Sequence, residues 1–395
     1  MGIFNCRNMK KKIAILGSTG SIGKNTFNIV KKNSKDFEII LLTTNKNLKE
    51  IYKQVKSSKV KNIIIANFLQ YQKAKKKLKN RKIKVYNNLN EVKNILKKKV
   101  DYTMSAISGL DGLQPTMDSI KYSKRIAIAN KESIICAWNL IYKQLKKFKT
   151  EFIPVDSEHF SIWSLIKNNN ESINKIYITA SGGPFLNLSK KKFKNINPKK
   201  AINHPRWKMG KKISIDSATM MNKVFEVIEA QRIFNLDIKK FKILIHPKSY
   251  LHAIIKFDNG TIKTLMHDTD MKIPIFNSIY LGSYKKLKTK NIDLSNLNNL
   301  NLSFPDENKF PSLKLLKKIK NKISLFETLL ISANDELVKY FLNGEIQFND
   351  INKYLNKVIN LNQFRYCKSK KPRDIKQINA LIEEVRLKTK YLCIK

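Results

Sequence analysis

The run Ile13-Ala14-Ile15-Leu16 passes directly into Gly17-Ser18-Thr19-Gly20-Ser21-Ile22-Gly23. Four apolar residues with no polar alternation read as a strand covered on both faces, the habit of strands in a parallel sheet. Glycines at i, i+3 and i+6 then make a tight turn, and a helix begins near Gly20–Ile22. Parallel strands must be joined by crossovers, usually helical, so a chain opening this way is committed to strand–helix alternation. Further strands are expected at 37–42, 62–66, 83–86 and 126–129, with amphipathic helical stretches between them. Residues 1–150 are therefore expected to form a doubly wound, Rossmann-like α/β domain.

Beyond residue 150 the pattern changes. Strands at 176–179, 243–245, 253–257 and 261–265, the last two joined by an Asp258-Asn259-Gly260 hairpin, suggest a mixed sheet in an α+β domain over 151–283. Residues 284–311 are rich in Asn, Lys and Leu and read as a connector. From 312 to 395 the period is helical, as in Leu329, Leu330, Ala333, Leu337 and Phe341. Three domains suit 395 residues. No apolar run approaches the ~18 residues of a membrane span, so a membrane partner is not expected.

The glycine turn between strand and helix fits a pyrophosphate held by main-chain amides at a helix N-terminus; a plain βα turn is the alternative. The second strand ends in Thr43-Thr44-Asn45-Lys46-Asn47, with a cation where an NAD site usually has an acid. Lys46 suits a 2′-phosphate, so NADPH is favoured over NADH. Ala129-Asn130-Lys131-Glu132-Ser133 follows a strand and should lie at the carboxyl edge of the sheet, as a site or as a helix start with surface charges.

Asp156 and Glu158, two apart, share one face of an extended segment and would offer hard oxygen ligands suited to Mg²⁺ or Mn²⁺. The competing reading is a helix cap. Ser181-Gly182-Gly183-Pro184 is a turn able to hold phosphate, or simply a turn. His204-Pro205-Arg206-Trp207-Lys208-Met209-Gly210 reads as an exposed loop, a lid over substrate if Trp207 is not a core residue. The stretch from Ile215 to Glu226 is expected to open a helix. Ser217, Asn222 and Lys223 offer a hydroxyl, an amide and a cation for a phosphate monoester, and Glu226 can share a face with Lys223 as a third metal ligand. His246, His252 and His267 have no metal spacing and read as structural or supporting residues.

The formal net charge is +48, from 78 Lys+Arg against 30 Asp+Glu. Only 8 of those cations are Arg, leaving 70 Lys spread through every predicted helix. Nucleic-acid readers favour the planar fork of Arg, so a specific nucleic-acid partner is not expected. Cys6, Cys136, Cys367 and Cys393 lack CxxC spacing, which argues against zinc and a disulfide framework and suits a reducing cytoplasm. Cys6 stands where a myristoylation signal wants Ser or Thr, and Met9 is an alternative start.

Taken together, GSTGSIG, ANKES, PVDSEH, ASGGPF, HPRWKMGKKISIDSATMMNK with EVIEA, and HPKS with DMKIP resemble the 1-deoxy-D-xylulose 5-phosphate reductoisomerase family, in that family's order and over about 10–395. The resemblance implies a V-shaped homodimer with an NADPH domain, a catalytic domain carrying a flexible lid, and a C-terminal helical bundle. It implies an oxidoreductase that rearranges and reduces 1-deoxy-D-xylulose 5-phosphate to 2-C-methyl-D-erythritol 4-phosphate, with NADPH and Mg²⁺ or Mn²⁺, Co²⁺ being admissible, in isoprenoid precursor synthesis. By the same resemblance Asp156, Glu158 and Glu226 match metal ligands and, with Lys131, the catalytic set. Lys131, Ser157, Glu158, Ser181, His204, Trp207, Ser217, Asn222, Lys223 and Glu226 match substrate contacts. Thr19, Gly20, Ser21, Ile22, Asn45, Lys46, Asn47, Asn130, Glu132 and Gly210 match the NADPH site. Three places depart from the family pattern: Asn45 and Val224 where Gly is usual, and His267-Asp268-Thr269 where Gly-Glu-Pro is usual.

Overall fold

The computed structural model describes residues 9–207, 209–283, 285–291 and 293–393. Cys6, the chain start and Lys208 of the lid motif lie outside the described residues. The chain divides into two compact units. One comprises 9–133, 141–156 and 271–287; the other 134–140, 157–270 and 288–393.

The first unit is built on seven strands: β1 (Lys11–Leu16), β2 (Phe37–Thr44), β3 (Asn62–Ile65), β4 (Lys84–Tyr86), β5 (Tyr102–Ser105), β6 (Arg125–Ile128) and β7 (Glu151–Pro154). They lie in the order β4-β3-β2-β1-β5-β6-β7, every neighbour parallel. The chain starts at the centre, winds outward to β4 and returns to β5 beside β1. That reversal places a crevice at the carboxyl ends of β1 and β5, where open α/β sheets bind ligands. Ile13, Ala14, Ile15 and Leu16 are all fully buried, as the unalternated sequence requires.

β5 and β7 escaped the sequence reading for physical reasons. β5 is Tyr-Thr-Met-Ser, and its polar groups are buried only because partners elsewhere satisfy them: Thr103 meets Ser123 at 2.7 Å and Ser105 meets Thr116 at 2.6 Å. β7 is an edge strand ending in Pro154, with one neighbour and an exposed Glu151. The helix Lys272–Ile279 also belongs to this unit, adding Ile275, Phe276 and Ile279 to the core around Ile13, Ile15 and Phe27.

The second unit holds β8 (Ile173–Ala180), β9 (Phe241–Ile245), β10 (Leu251–Phe257) and β11 (Ile262–Met266) in the order β11-β10-β8-β9. β10 is antiparallel to both neighbours and β8 is parallel to β9, the mixed sheet expected. Gly260, at φ +85°, turns the predicted hairpin. Past Pro311 every element is helical, including Phe326–Asn343, Phe348–Ile359 and Ile375–Cys393. A buried Arg232–Glu327 pair at 2.6 Å ties Phe326–Asn343 to the helix Met221–Phe234. Among the described residues no helix is long and apolar enough to cross a membrane.

Candidate active site

The glycine turn sits at the crevice end of β1. Gly17 has φ +76°, and a Cβ there would lie 2.5 Å from the Ala106 carbonyl oxygen, so only glycine lets the turn cross the end of β5. The turn is tied to the end of β2: Gly17 N donates to Thr43 Oγ1 at 2.7 Å, and Thr19 Oγ1 meets Thr44 Oγ1 at 2.8 Å. Buried Gln54 bonds Ser18 twice, each at 2.7 Å. The helix Ser21–Lys32 follows with Gly20 as its N-cap, which has no side chain to occupy the first amides. Asn45, Lys46 and Asn47 are exposed beyond β2, and Asn47 also caps the helix Leu48–Lys56 by accepting from Glu50 N at 3.1 Å.

Asn130 follows β6 and caps the helix Lys131–Phe148, accepting from Ser133 N at 2.7 Å. Its amide donates to the Ile107 and Gly109 carbonyls, clamping the loop after β5. That loop escaped the sequence reading because β5 itself did. Lys131 and Glu132 are buried, which removes the surface-charge reading, and Lys131 Nζ lies 3.1 Å from Asp156 Oδ2.

The segment after β7 is not extended. Asp156 directly precedes the helix Ser157–Ile166, and Glu158 lies in its first turn, so the same-face argument for a strand does not apply here. In the second unit, Glu158 and Glu226 carry carboxylate oxygens within 4.8 Å of each other. Lys223 Nζ joins them, 2.7 Å from Glu158 Oε1 and bonded to Glu226, while Asn222 donates to Glu226 and Ser157 to Glu158. Burial opposes the charge of Lys223, but the two carboxylates outweigh it and raise its pKa above the ordinary lysine value. Behind Glu226, fully buried His159 bonds its main-chain carbonyl through Nε2 at 2.8 Å, and His159 Nδ1 faces Glu229 at 3.6 Å. Neither supporting residue was singled out, because nothing local in sequence pairs them.

The expected helix through Ile215–Glu226 is two helices, Lys211–Ala218 and Met221–Phe234. Met220 breaks them apart at φ +61°, in the left-handed region, with its side chain buried. Ser217 therefore ends one helix, while Asn222, Lys223 and Glu226 begin the next. Gly182 and Gly183, at φ +84° and +68°, bend the Ser181 turn onto Ser217; a Cβ on Gly183 would lie 2.7 Å from the Ser217 carbonyl oxygen. Buried Asp216 anchors the first helix, accepting from Asn334 Nδ2 at 2.8 Å.

His204 Nδ1 accepts from the main-chain N–H groups of Arg206 and Trp207 at 3.1 and 2.9 Å, which makes the neutral ring an Nε2–H tautomer. Nε2 donates to Ser181 Oγ at 2.9 Å, and Gly183 N donates to the same oxygen at 3.1 Å. Ser181 thus accepts twice, and its own hydrogen is directed elsewhere, as an anion would require. Burial first, then Lys223, pushes the His204 pKa down to about 4. Trp207 is half-buried rather than free, its ring edge-on to His252. Gly210 caps the helix Lys211–Ala218.

Three family models match the chain. Residues 13–138 match one described as 1-deoxy-D-xylulose 5-phosphate reductoisomerase, 152–234 its C-terminal domain, and 266–388 a DXP reductoisomerase C-terminal domain. The 1-deoxy-D-xylulose 5-phosphate reductoisomerase of Pelagibacter ubique is 59% identical over 387 residues, covering 97% of this chain and 100% of that protein. The Sulfurihydrogenibium enzyme of that name is 37% identical, with 90% and 92% covered. Among solved structures, the Zymomonas mobilis reductoisomerase in complex with NADPH superposes with a TM-score of 0.89 at 31% identity, covering 98% of this chain and 100% of that one. A DOX-P reductoisomerase with NADPH, fosmidomycin and magnesium gives 0.90 at 30% identity, covering 97% and 98%.

Proposed function

The chain belongs to the 1-deoxy-D-xylulose 5-phosphate reductoisomerase family, and on that footing we propose how its own residues divide the work. It is an NADPH-dependent oxidoreductase that converts 1-deoxy-D-xylulose 5-phosphate, with a divalent metal, in isoprenoid synthesis. The product is 2-C-methyl-D-erythritol 4-phosphate.

Asp156, Glu158 and Glu226 hold the metal. The observation that carries this is the convergence of half-buried Glu158 and buried Glu226 on one cationic group, Lys223: carboxylates this close and this shielded from water demand positive charge between them. An all-oxygen donor set suits Mg²⁺ or Mn²⁺. Asp156 is two residues from Glu158, and two residues span at most ~7 Å, so the chain itself keeps the third carboxylate within reach. When bound, the metal supplies Lewis-acid polarisation of the substrate's keto and hydroxyl oxygens. Lys131, beside Asp156, orients that carboxylate and meets a substrate oxygen.

Ser181, Ser217, Asn222 and Lys223 bind the phosphate, with Ser157 on the carbon chain. His204 donates to Ser181, which leaves the Ser181 hydrogen for a phosphate oxygen. Residues 204–210, with Trp207, form a lid that excludes water while carbon fragments are held for recombination. NADPH lies along Thr19, Gly20, Ser21 and Ile22, with Lys46, flanked by Asn45 and Asn47, at the 2′-phosphate. Asn130 shapes the nicotinamide end through the loop after β5, and Glu132 and Gly210 complete the contacts. Functionally the chain divides into an NADPH domain at 1–150, a catalytic domain at 151–283, a connector at 284–311 and a helical domain at 312–395. It works as a cytoplasmic homodimer, which sedimentation at twice the chain mass would test.

The deciding experiment is NADPH oxidation, followed at 340 nm, with 1-deoxy-D-xylulose 5-phosphate and Mg²⁺ or Mn²⁺. Folded protein that oxidises no NADPH, or does so equally in excess chelator, overturns the assignment.

A further inference from the structure

His252 and His267 have no part in the roles above. His252 lies in β10 and His267 follows the end of β11, and the antiparallel pairing brings the rings together. Their centroids are 3.7 Å apart at an interplanar angle of 19°, a stack, and the residues are 2% and 8% exposed. His252 Nε2 donates to the His267 carbonyl at 3.2 Å, and His267 Nδ1 donates to the Asp268 carbonyl at 2.7 Å. Since a carbonyl only accepts, both tautomers are set. His267 Nε2 is left as a buried acceptor with no hydrogen-bond partner among the described residues. An unpartnered buried nitrogen costs stability, a cost that glycine at this position would avoid. His252 in turn meets a second ring: Trp207 lies edge-on to it, centroids 6.3 Å apart at 67°.

We infer that His267 is a positioning residue: by backing His252 it fixes the surface against which Trp207 seats, and so sets how tightly residues 204–210 cover the sugar phosphate. The inference rests on reading 204–210 as the substrate lid. Burial, the leading cause, lowers both histidine pKa values, so the stack consists of neutral rings at neutral pH.

The test is kinetic and spectroscopic. His267→Gly should raise KM for 1-deoxy-D-xylulose 5-phosphate ~3–10-fold, the scale of one lost aromatic contact, with kcat and the NADPH KM within about twofold. His267→Phe keeps a ring without the nitrogen and should restore KM, whereas His267→Leu should not. In a Trp207→Ala background, His267→Gly should add less than about twofold, because its effect passes through the indole. Unchanged KM in His267→Gly, failure of Phe to restore it, or full additivity with Trp207→Ala overturns the inference. Should the glycine variant not fold, the Phe and Leu variants decide. The chain has three tryptophans. With Trp138 and Trp163 replaced by Phe, Trp207 emission should shift to the red in His267→Leu and return in His267→Phe. This readout stands even if the wild type turns over no substrate, which would count against the assigned activity alone; unshifted emission would count against the stack's role.

Discussion

Lys223 is 5% exposed and holds its ammonium between Glu158 and Glu226. Removing it should act in two opposite directions. Lys223→Met removes the charged partner proposed for the phosphate, worth ~1.5–3 kcal/mol, so substrate KM should rise ~10–100-fold. It also leaves two carboxylates without their cation, so the Mn²⁺ concentration for half-maximal activity should fall; a rise would contradict the shared site. Asp156→Asn or Glu226→Gln should cut kcat at least ~10²-fold, since several kcal/mol of charge stabilisation are lost, with NADPH affinity by fluorescence titration nearly unchanged. Loss of cofactor affinity alone would misplace these acids. At this scale the sequence was legible where residue type and short spacing suffice, as with Glu226 three residues after Lys223. It was silent on His159 and Glu229, which support Glu226 from 67 residues away and from the next helical turn.

Elements explain which turns tolerate change. The end of β1 crosses the end of β5 so closely that Gly17→Ala forces a Cβ to 2.5 Å from a main-chain oxygen at a positive φ. Gly20 has φ −76° and its nearest neighbour to an added Cβ is 3.5 Å away. Gly17→Ala should therefore lower Tm by several degrees and abolish measurable NADPH binding, while Gly20→Ala should fold normally; equal thermal stability of the two would refute the steric account. The strand–turn–helix signature was readable because its period is local. The helix break at Met220 was not: Met is a good helix former, and its left-handed φ accompanies a buried side chain and main-chain bonds from Met220 N to Ser217 O and from Lys223 N to Met220 O, each at 3.1 Å. β5 was likewise hidden, its buried hydroxyls depending on partners 11 and 20 residues away.

Across the whole molecule, the histidines with displaced pKa values are all in the second unit. Burial, the largest influence on each, lowers the pKa of His204, His246, His252 and His267 below the ordinary 6.5. The folded unit thus binds protons less readily than the unfolded chain. Stability present above about pH 6.5 is lost as pH falls towards about 4, the His204 value. Hydrogen exchange at pH 5 against pH 7 should show residues 157–270 losing protection before β1–β6; the reverse order would refute it. Few of the cations behind the +48 charge enter the proposed chemistry: Lys46, Lys131 and Lys223 alone have roles assigned above.

The sequence by itself determined the chemistry on offer: a glycine turn after a buried strand, carboxylates and hydroxyls in a set order, and the family to which they belong. All of these depend on residue identity and on spacings of a few residues, which a chain carries whether folded or not. Tertiary structure alone decided which groups meet: Lys223 between two acids, the Ser181 hydrogen freed by His204, and the stack of His267 on His252, with Trp207 edge-on to His252. Those encounters join residues far apart in the chain, and they are selected by burial, which leaves a charged or polar group only the partners that packing brings to it.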